Sequence, residues 1–158
     1  MRILPSLLVA CLHFTPTAAT DYLQLLTDPG LSPDGKTLLF VHRGDVWQVP
    51  TKGGQAERVT HHPADEREPH FSPDGNRIAF VSDRSGSRQV FVMQHGDLAP
   101  QQLTYHTEGF SLQGWYPDGG SLLTLGTRDH FWKYGQRFLK IAADERSTEE
   151  ILFNGYGT

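Results

Sequence analysis

A Ser-Pro-Asp-Gly tetrapeptide that returns along the chain constrains the fold more than any other feature of the sequence. It begins at Ser32 and again at Ser72, and a variant with tyrosine in place of serine begins at Tyr116. Proline presets φ for the first central position of a turn, and glycine accepts the positive φ that closes it. Units of about 40 to 45 residues built from short strands are typical of four-stranded propeller blades. The spacing therefore predicts a repeated blade-like unit.

Three apolar runs in each unit predict the strands. The first is nearly continuous, which favours a strand covered on both faces, and the second follows a short polar turn, as in a hairpin. The third is more polar and fits an outer edge strand. The inner strand is expected in the residues that lead into the turn, such as 69–71 and 114–116. The runs are 37–41, 45–49 and 56–60, then 77–81, 89–93 and 101–104, then 121–125, 137–141 and 150–153.

These runs predict an all-β fold, a partial β-propeller of about three four-stranded antiparallel blades, at about 22–62, 63–106 and 107–158, preceded by a signal peptide. No window has a convincing helical period. A blade buries its faces against its neighbours, and propellers close with about four to eight blades. We therefore expect these blades to be the front of a longer protein, because residues 154–158 have a turn-like sequence without a closing strand.

A more specific resemblance lies in the amino-acid sequences of the units. Residues 71–93 of the second unit are similar to the repeat of TolB-type and tricorn-type β-propellers. Residues 43–54 and the linker 58–64 resemble the first blade of bacterial tricorn-like serine proteases. The resemblance runs from about Tyr22 to the last residue. The third unit departs from the pattern at Tyr116 and in the turn 129–135.

The first 19 residues have the features of a secretory signal peptide. Arg2 supplies a positive start, the apolar stretch 3–14 is too short to span a bilayer, and residues 17–19 are small enough for cleavage. We expect residues 20–158 to be the mature propeller segment, in a bacterial periplasm or an equivalent compartment. A second interpretation stays open: residues 8–11 resemble a lipobox, which would make Cys11 a lipid-anchored N-terminus.

Composition narrows the function classes. A net charge of −4 argues against a nucleic-acid partner, which needs a basic stripe. We also expect no membrane span. The tryptophans, Trp47, Trp115 and Trp132, are interpreted as side chains that fill the seams between blades. Cys11 is the only cysteine, so a chain without its signal has no disulfide, thiolate metal site or cysteine nucleophile.

No serine lies in a context that would activate it as a nucleophile. No Gly-x-Ser-x-Gly elbow is present, and the serines flank turns and hairpins. The resemblance implies that the catalytic serine and its partners belong to a separate C-terminal domain, so we assign no catalytic residue. The glycine pairs 53–54 and 119–120 lack the strand–loop–helix context of a phosphate cradle, and no cofactor is expected.

The histidines are weak candidates for a metal site. His61, His62 and His70 could in principle approach one metal ion, but their spacing matches no zinc pattern. We favour a structural role in the linkers between blades, with His106 repeating the place of His61 one blade later. No metal ligand is assigned.

The acidic residues divide into repeated and unrepeated positions. Asp65, Glu66 and Glu68 could form an acidic lip at a channel mouth, although a solvated loop is favoured. The neighbouring Asp83 and Arg84 are predicted to form a weak local ion pair. The aspartates of the three turns predict Asx-type backbone caps: Asp34, Asp74 and Asp118.

The resemblance implies two functions. The first is the N-terminal propeller segment of a periplasmic tricorn-like serine protease, which gates or channels peptide substrates to a catalytic domain absent from this chain. Such a chain hydrolyses nothing by itself and could join a homo-oligomer through the full-length protein. The second is a TolB-like periplasmic propeller that binds protein partners without catalytic activity. A third and weaker alternative is a relative of prolyl oligopeptidase, which would need an α/β-hydrolase elbow downstream.

Overall fold

The computed structural model of the chain describes residues 26–127 and 136–154. The signal peptide, Cys11, Trp132 and the turn 129–135 lie outside these ranges. No helix in the described part is long and apolar enough to cross a membrane. The strands are β1 (Thr27–Leu31), β2 (Thr37–His42), β3 (Asp45–Pro50), β4 (Glu57–Arg58), β5 (Glu66–Phe71), β6 (Arg77–Ser82), β7 (Gln89–Gln94), β8 (Gln101–Gln102), β9 (Phe110–Trp115), β10 (Ser121–Gly126), β11 (Arg137–Ala142) and β12 (Glu150–Asn154).

The strands form three four-stranded antiparallel sheets, each in chain order. We call β1–β4 blade 1, β5–β8 blade 2 and β9–β12 blade 3. Consecutive strands pair as hairpins in each sheet. This architecture confirms the predicted all-β partial propeller.

The repeated turn is a self-contained cap. The Ser32 hydroxyl donates to Asp34 Oδ1 at 2.7 Å and accepts the backbone N–H of Thr37 at 2.9 Å. The Ser72 hydroxyl bonds in the same way to its own aspartate, at 2.6 Å. In blade 3 tyrosine replaces the serine, and the remaining side-chain bond of the cap runs from the N–H of Gly120 to Asp118 at 2.9 Å. The predicted Asx-type caps are therefore present, and the third is reduced.

The middle strands of blade 2 are covered on both faces, as the continuous apolar runs predicted. Successive side chains of a strand point to opposite faces. Ile78 and Phe80 pack against blade 1, in a cluster with Leu39 and Val46. The intervening Ala79 and the rest of the opposite face pack against blade 3. Blade 2 is thus the shared wall of two hydrophobic cores.

The outer strands of blades 1 and 2 are shorter than the sequence predicted. They have two residues each, because a threonine side chain replaces the next backbone bond of the ladder. The N–H of Val46 donates to Thr60 Oγ1 at 2.9 Å, and the N–H of Val90 donates to Thr104 Oγ1 at 2.9 Å. The chain then leaves the sheet towards the next blade.

Each blade has two rims. The turn rim holds the Ser-Pro-Asp-Gly turns and the loops that follow the third strands, as the bond from Thr51 N to the Lys36 carbonyl shows. In blades 1 and 2 the linker rim holds the hairpins that follow β2 and β6, and the interblade linkers 59–65 and 103–109 also lie on it. Glu66 N donates to the Gly44 carbonyl at 2.7 Å on this rim.

Candidate functional site

The inner strands β1, β5 and β9 lie side by side and form one surface, which we call the channel wall. The Trp115 indole N–H donates to the His70 carbonyl at 3.1 Å, which joins β9 to β5. A Cβ added to Gly30 would lie 2.6 Å from the Pro69 carbonyl oxygen, so β1 and β5 approach backbone to backbone. The wall exposes polar side chains such as Arg67 and Gln113.

Each inner strand has a bulge, and in blades 1 and 2 the bulged residue is acidic. The register shifts after Thr27 in β1 and after Arg67 in β5, and the bulged residues Asp28 and Glu68 have φ of 51° and 53°. Non-glycine residues adopt this left-handed conformation at a cost. In blade 3 the shift falls beside Gly114.

The strained Glu68 is held by blade 3. Its carboxylate accepts the Ser111 hydroxyl at 2.8 Å and the backbone N–H of Leu112 at 2.5 Å. Charge-assisted bonds of this kind are among the stronger hydrogen bonds in proteins. Glu68 is therefore a clamp between two inner strands, not part of a solvated loop.

The sequence carries a signal for this clamp that the repeat analysis missed. An acidic residue followed by proline precedes each intact turn by four residues, at Asp28-Pro29 before Ser32 and at Glu68-Pro69 before Ser72. Blade 3 has Leu112 at the corresponding place. Among the described residues only Glu68 forms the clamp, because the Asp28 side chain instead accepts the hydroxyl of its neighbour Thr27 at 3.5 Å.

His70 is the ionisable ring of the channel wall. Burial lowers its pKa from the ordinary value, and the nearby carboxylates of Glu68 and Asp28 oppose this shift. The imidazole is thus biased towards its neutral form beside two acids. No serine hydroxyl contacts it within 26–127 and 136–154.

On the linker rim, Glu66 and Arg84 form a buried ion pair across blade 2. Glu66 is 0% exposed, and Arg84 Nη2 bonds to its Oε1. Burial raises the pKa of Glu66, opposed by hydrogen bonds from Thr60 and Arg84. Its second oxygen has no hydrogen-bond partner. The predicted weak ion pair between Asp83 and Arg84 is wrong, because the guanidinium turns inward to the buried acid.

The predicted solvated acidic loop is also wrong for most of its members. Glu66 is buried, Glu68 is clamped, and only Asp65 is exposed, 4.0 Å from Arg67. Incorporation of these residues into β5 explains the difference, since alternate positions of a strand point inward. The acidic lip does not form as a single surface either.

On the turn rim, Arg77 joins blades 2 and 3. Its guanidinium lies 4.8 Å from the Trp115 ring centroid and donates to the Gly119 carbonyl at 2.6 Å and to Asp144 at 2.5 Å. Trp115 therefore fills a seam, as predicted. Trp47 instead donates to the His42 carbonyl of its own blade, at 3.3 Å.

The histidines of the linkers have local structural bonds. The Nδ1 atom of His62 accepts the N–H of Ala64 at 3.1 Å, and that of His106 accepts the N–H of Glu108 at 3.3 Å. His106 thus repeats His62 and not His61 as predicted, because Thr104 and Thr60 fix the alignment. Among the described residues, no group of three or more His, Cys, Asp or Glu is placed to hold a metal ion.

The serine hydroxyls whose bonds are seen have structural partners. Those of the turns cap aspartates, and Ser82 accepts the Arg84 side chain at 3.1 Å. Ser87 donates to the His106 carbonyl at 2.9 Å, and Ser111 donates to Glu68. These serines therefore have structural roles in the turns, hairpins and seams of the described part of the chain.

Comparisons with known proteins agree with this geometry. A tricorn protease homolog of Streptomyces coelicolor is 33% identical over 127 residues, which are 80% of this chain and 11% of that protein. An uncharacterized peptidase of Bacillus subtilis, YuxL, is 33% identical over 62% of this chain and 17% of its own length. A TolB homolog of Chlorobium luteolum is 39% identical over 44% of this chain and 16% of its own length. The chain spans less than a fifth of each of these relatives.

Solved structures share the fold. TolB of Acinetobacter baumannii matches with a TM-score of 0.67 and 22% identity, over 81% of this chain and 32% of that one. The tricorn protease matches with a TM-score of 0.63 and 19% identity, over 73% of this chain and 12% of that one. The family model described as the tricorn protease N-terminal beta propeller domain matches residues 23–156. The chain therefore belongs to the family of tricorn protease N-terminal β-propeller domains.

Proposed function

We propose that this chain is the N-terminal propeller segment of a periplasmic tricorn-type serine peptidase and that its channel wall guides peptides towards a catalytic domain elsewhere in the protein. The observation that carries the proposal is the channel wall itself, in a chain of this family. It is polar, continuous across three blades and without a nucleophile among the described residues.

The construction of the wall supports this role. Peptide backbone needs hydrogen-bonding partners wherever it leaves water. Arg67, Gln113 and the half-buried His70 supply hydrogen-bonding groups along β5 and β9. The bulges and the Glu68 clamp fix the wall before any peptide arrives, which lowers the entropic cost of binding.

A TolB-like propeller that binds protein partners is the second candidate. The match to TolB sequences and the TM-score of 0.67 favour it. Both candidates place the chain in the periplasm, which the signal-like residues 1–19 also support. Lipid anchoring at Cys11 is the alternative form of export.

Two experiments test the proposal. First, periplasmic extract is labelled with a fluorophosphonate probe of active serine hydrolases, and the protein is captured with an antibody against the exposed loop 51–57. We expect a polypeptide several times heavier than this chain that carries the label. An unlabelled protein, captured together with a partner, would favour the TolB-like alternative.

Second, a photo-crosslinking amino acid is placed at Gln113 on the channel wall or, as a control, at the exposed Lys52 on the turn rim. A fluorescent casein digest is then added. We expect peptide capture from position 113 and background capture from position 52. Equal capture from both would contradict a role for the wall.

A further inference from the structure

The two seams of the described propeller open outward in equivalent clefts. The first seam cleft, about 370 Å³, lies between the linker after β4 and the loop before β8. The second seam cleft, about 340 Å³, lies between the linker after β8 and the loop before β12. These volumes are in the range of small-ligand sites. Neither lining includes a residue of the inner strands β1, β5 and β9, so the clefts are separate from the channel wall.

The first seam cleft has an apolar floor with one open side. Val59 and Met93 form the buried base, with Pro100 beside them. Leu98 stands on the open side and is 75% exposed. A leucine in this position offers apolar surface to anything that enters the cleft.

The polar groups of the first seam cleft are cationic or neutral. Arg84 lines it together with His61 and His62, and none of its lining residues is acidic. Glu66 balances Arg84 from beneath, within blade 2. The guanidinium is held in place by Ser82 and by the Phe91 ring, 4.8 Å away. Among the described residues, Glu66 and Ser82 engage Nη2 and Nε of Arg84, which leaves Nη1 to donate to a further carboxylate at the cleft.

The lining of the second seam cleft includes both a cation and an acid. Arg146 lies 4.4 Å from the Tyr105 ring centroid, and Glu149 is part of the lining together with two hydroxyl residues. It therefore brings its own negative charge and has less apolar surface. The two clefts occupy equivalent positions but differ in lining, so the second can serve as a control for the first.

From this contrast we propose that the first seam cleft is a docking site for a partner protein segment in which an apolar side chain is flanked by acidic residues. The apolar side chain rests on Val59, Met93 and Leu98. The carboxylates face Arg84 and His62. This site is additional to the proposed channel function and stands without it.

Fluorescence anisotropy tests the proposal directly. The probe is a fluorescein-labelled hexapeptide amide with leucine between two aspartates, and the comparison probe has lysines in place of the aspartates. The whole chain is used. We expect the acidic probe to bind at least about tenfold more tightly, because one well-placed charge contact is worth about that factor. Equal binding of the two probes would overturn the proposal.

Variants locate the site. Leu98→Glu should weaken binding of the acidic probe about tenfold or more, since it removes apolar contact and adds repulsion. Leu98→Ser should weaken it less, and both changes leave the exposed loop free of new clashes. Tyr105→Ser, in the second seam cleft, should leave the affinity unchanged. Unchanged binding in both Leu98 variants, or equal weakening by Tyr105→Ser, would exclude the first seam cleft.

Discussion

Replacement of Arg84 by methionine should remove the positive charge that neutralises Glu66, the most deeply buried acid among the described residues. Glu66 is 0% exposed, and one of its oxygens is already unpaired. Removing one partner of a buried ion pair costs about 3–5 kcal/mol, because the other charge is left without compensation. We expect Arg84→Met to lose this amount of unfolding free energy at pH 7.5, measured by urea denaturation.

The loss should depend on pH in a defined direction. Burial raises the pKa of Glu66 above its ordinary value of 4.5, so the folded state holds the proton more tightly than the unfolded state. The stabilisation from this group is complete below pH 4.5 and disappears as the pH rises through the folded pKa. Without Arg84 the pKa rises further. Arg84→Met should therefore lose less stability at pH 5 than at pH 7.5.

The charge-free control separates charge from packing. Glu66→Gln should lose less stability at pH 7.5 than Arg84→Met, since the Arg84 side chain that it leaves without a countercharge is 16% exposed and keeps contact with water, whereas Glu66 is fully buried. Glu66→Gln combined with Arg84→Met should recover most of the loss. Equal losses for Arg84→Met at both pH values, or a loss for Glu66→Gln as large as that for Arg84→Met, would refute the reasoning.

Three further substitutions test the cores and seams. Thr104→Val keeps the shape but leaves the N–H of Val90 unpaired in a buried site, so urea denaturation should show a loss of about 1–3 kcal/mol. Gly109→Ala would place a Cβ 2.8 Å from the Arg88 carbonyl oxygen, at a residue with φ of +75°. The melting temperature of this variant should fall further than that of the control Gly86→Ala, where φ is also positive but no atom lies within 4 Å of the added Cβ. Phe80→Ala should cost about 3–5 kcal/mol, and a loss below about 1 kcal/mol would mean that this ring is not a core residue.

Local features of the fold were predictable because they have local causes. The tetrapeptide turns carry their own hydrogen bonds, and the continuous apolar runs identify strands such as β6, which has a buried face on each side. Strand order in each sheet follows from short hairpins. The predicted all-β class needed nothing beyond these patterns.

The seams were not predictable in the same way, because their partners are distant in sequence. Glu68 meets Leu112 only after blades 2 and 3 have packed, and Arg77 meets Asp144 across the same seam. Glu66 looked like a loop residue because strand β5 begins with three charged or polar positions. An acidic residue four positions before each intact turn was visible in the sequence, but the partner of Glu68 was not.

The backbone contact between Gly30 and Pro69 limits which positions of the channel wall can vary in sequence. Because no side chain stands between these two inner strands, their separation is already minimal at this level. Any residue larger than glycine at position 30 would push the blades apart. Substitutions at exposed positions of the channel wall such as Arg67 and Gln113 can change its charge while the spacing of these two strands stays the same.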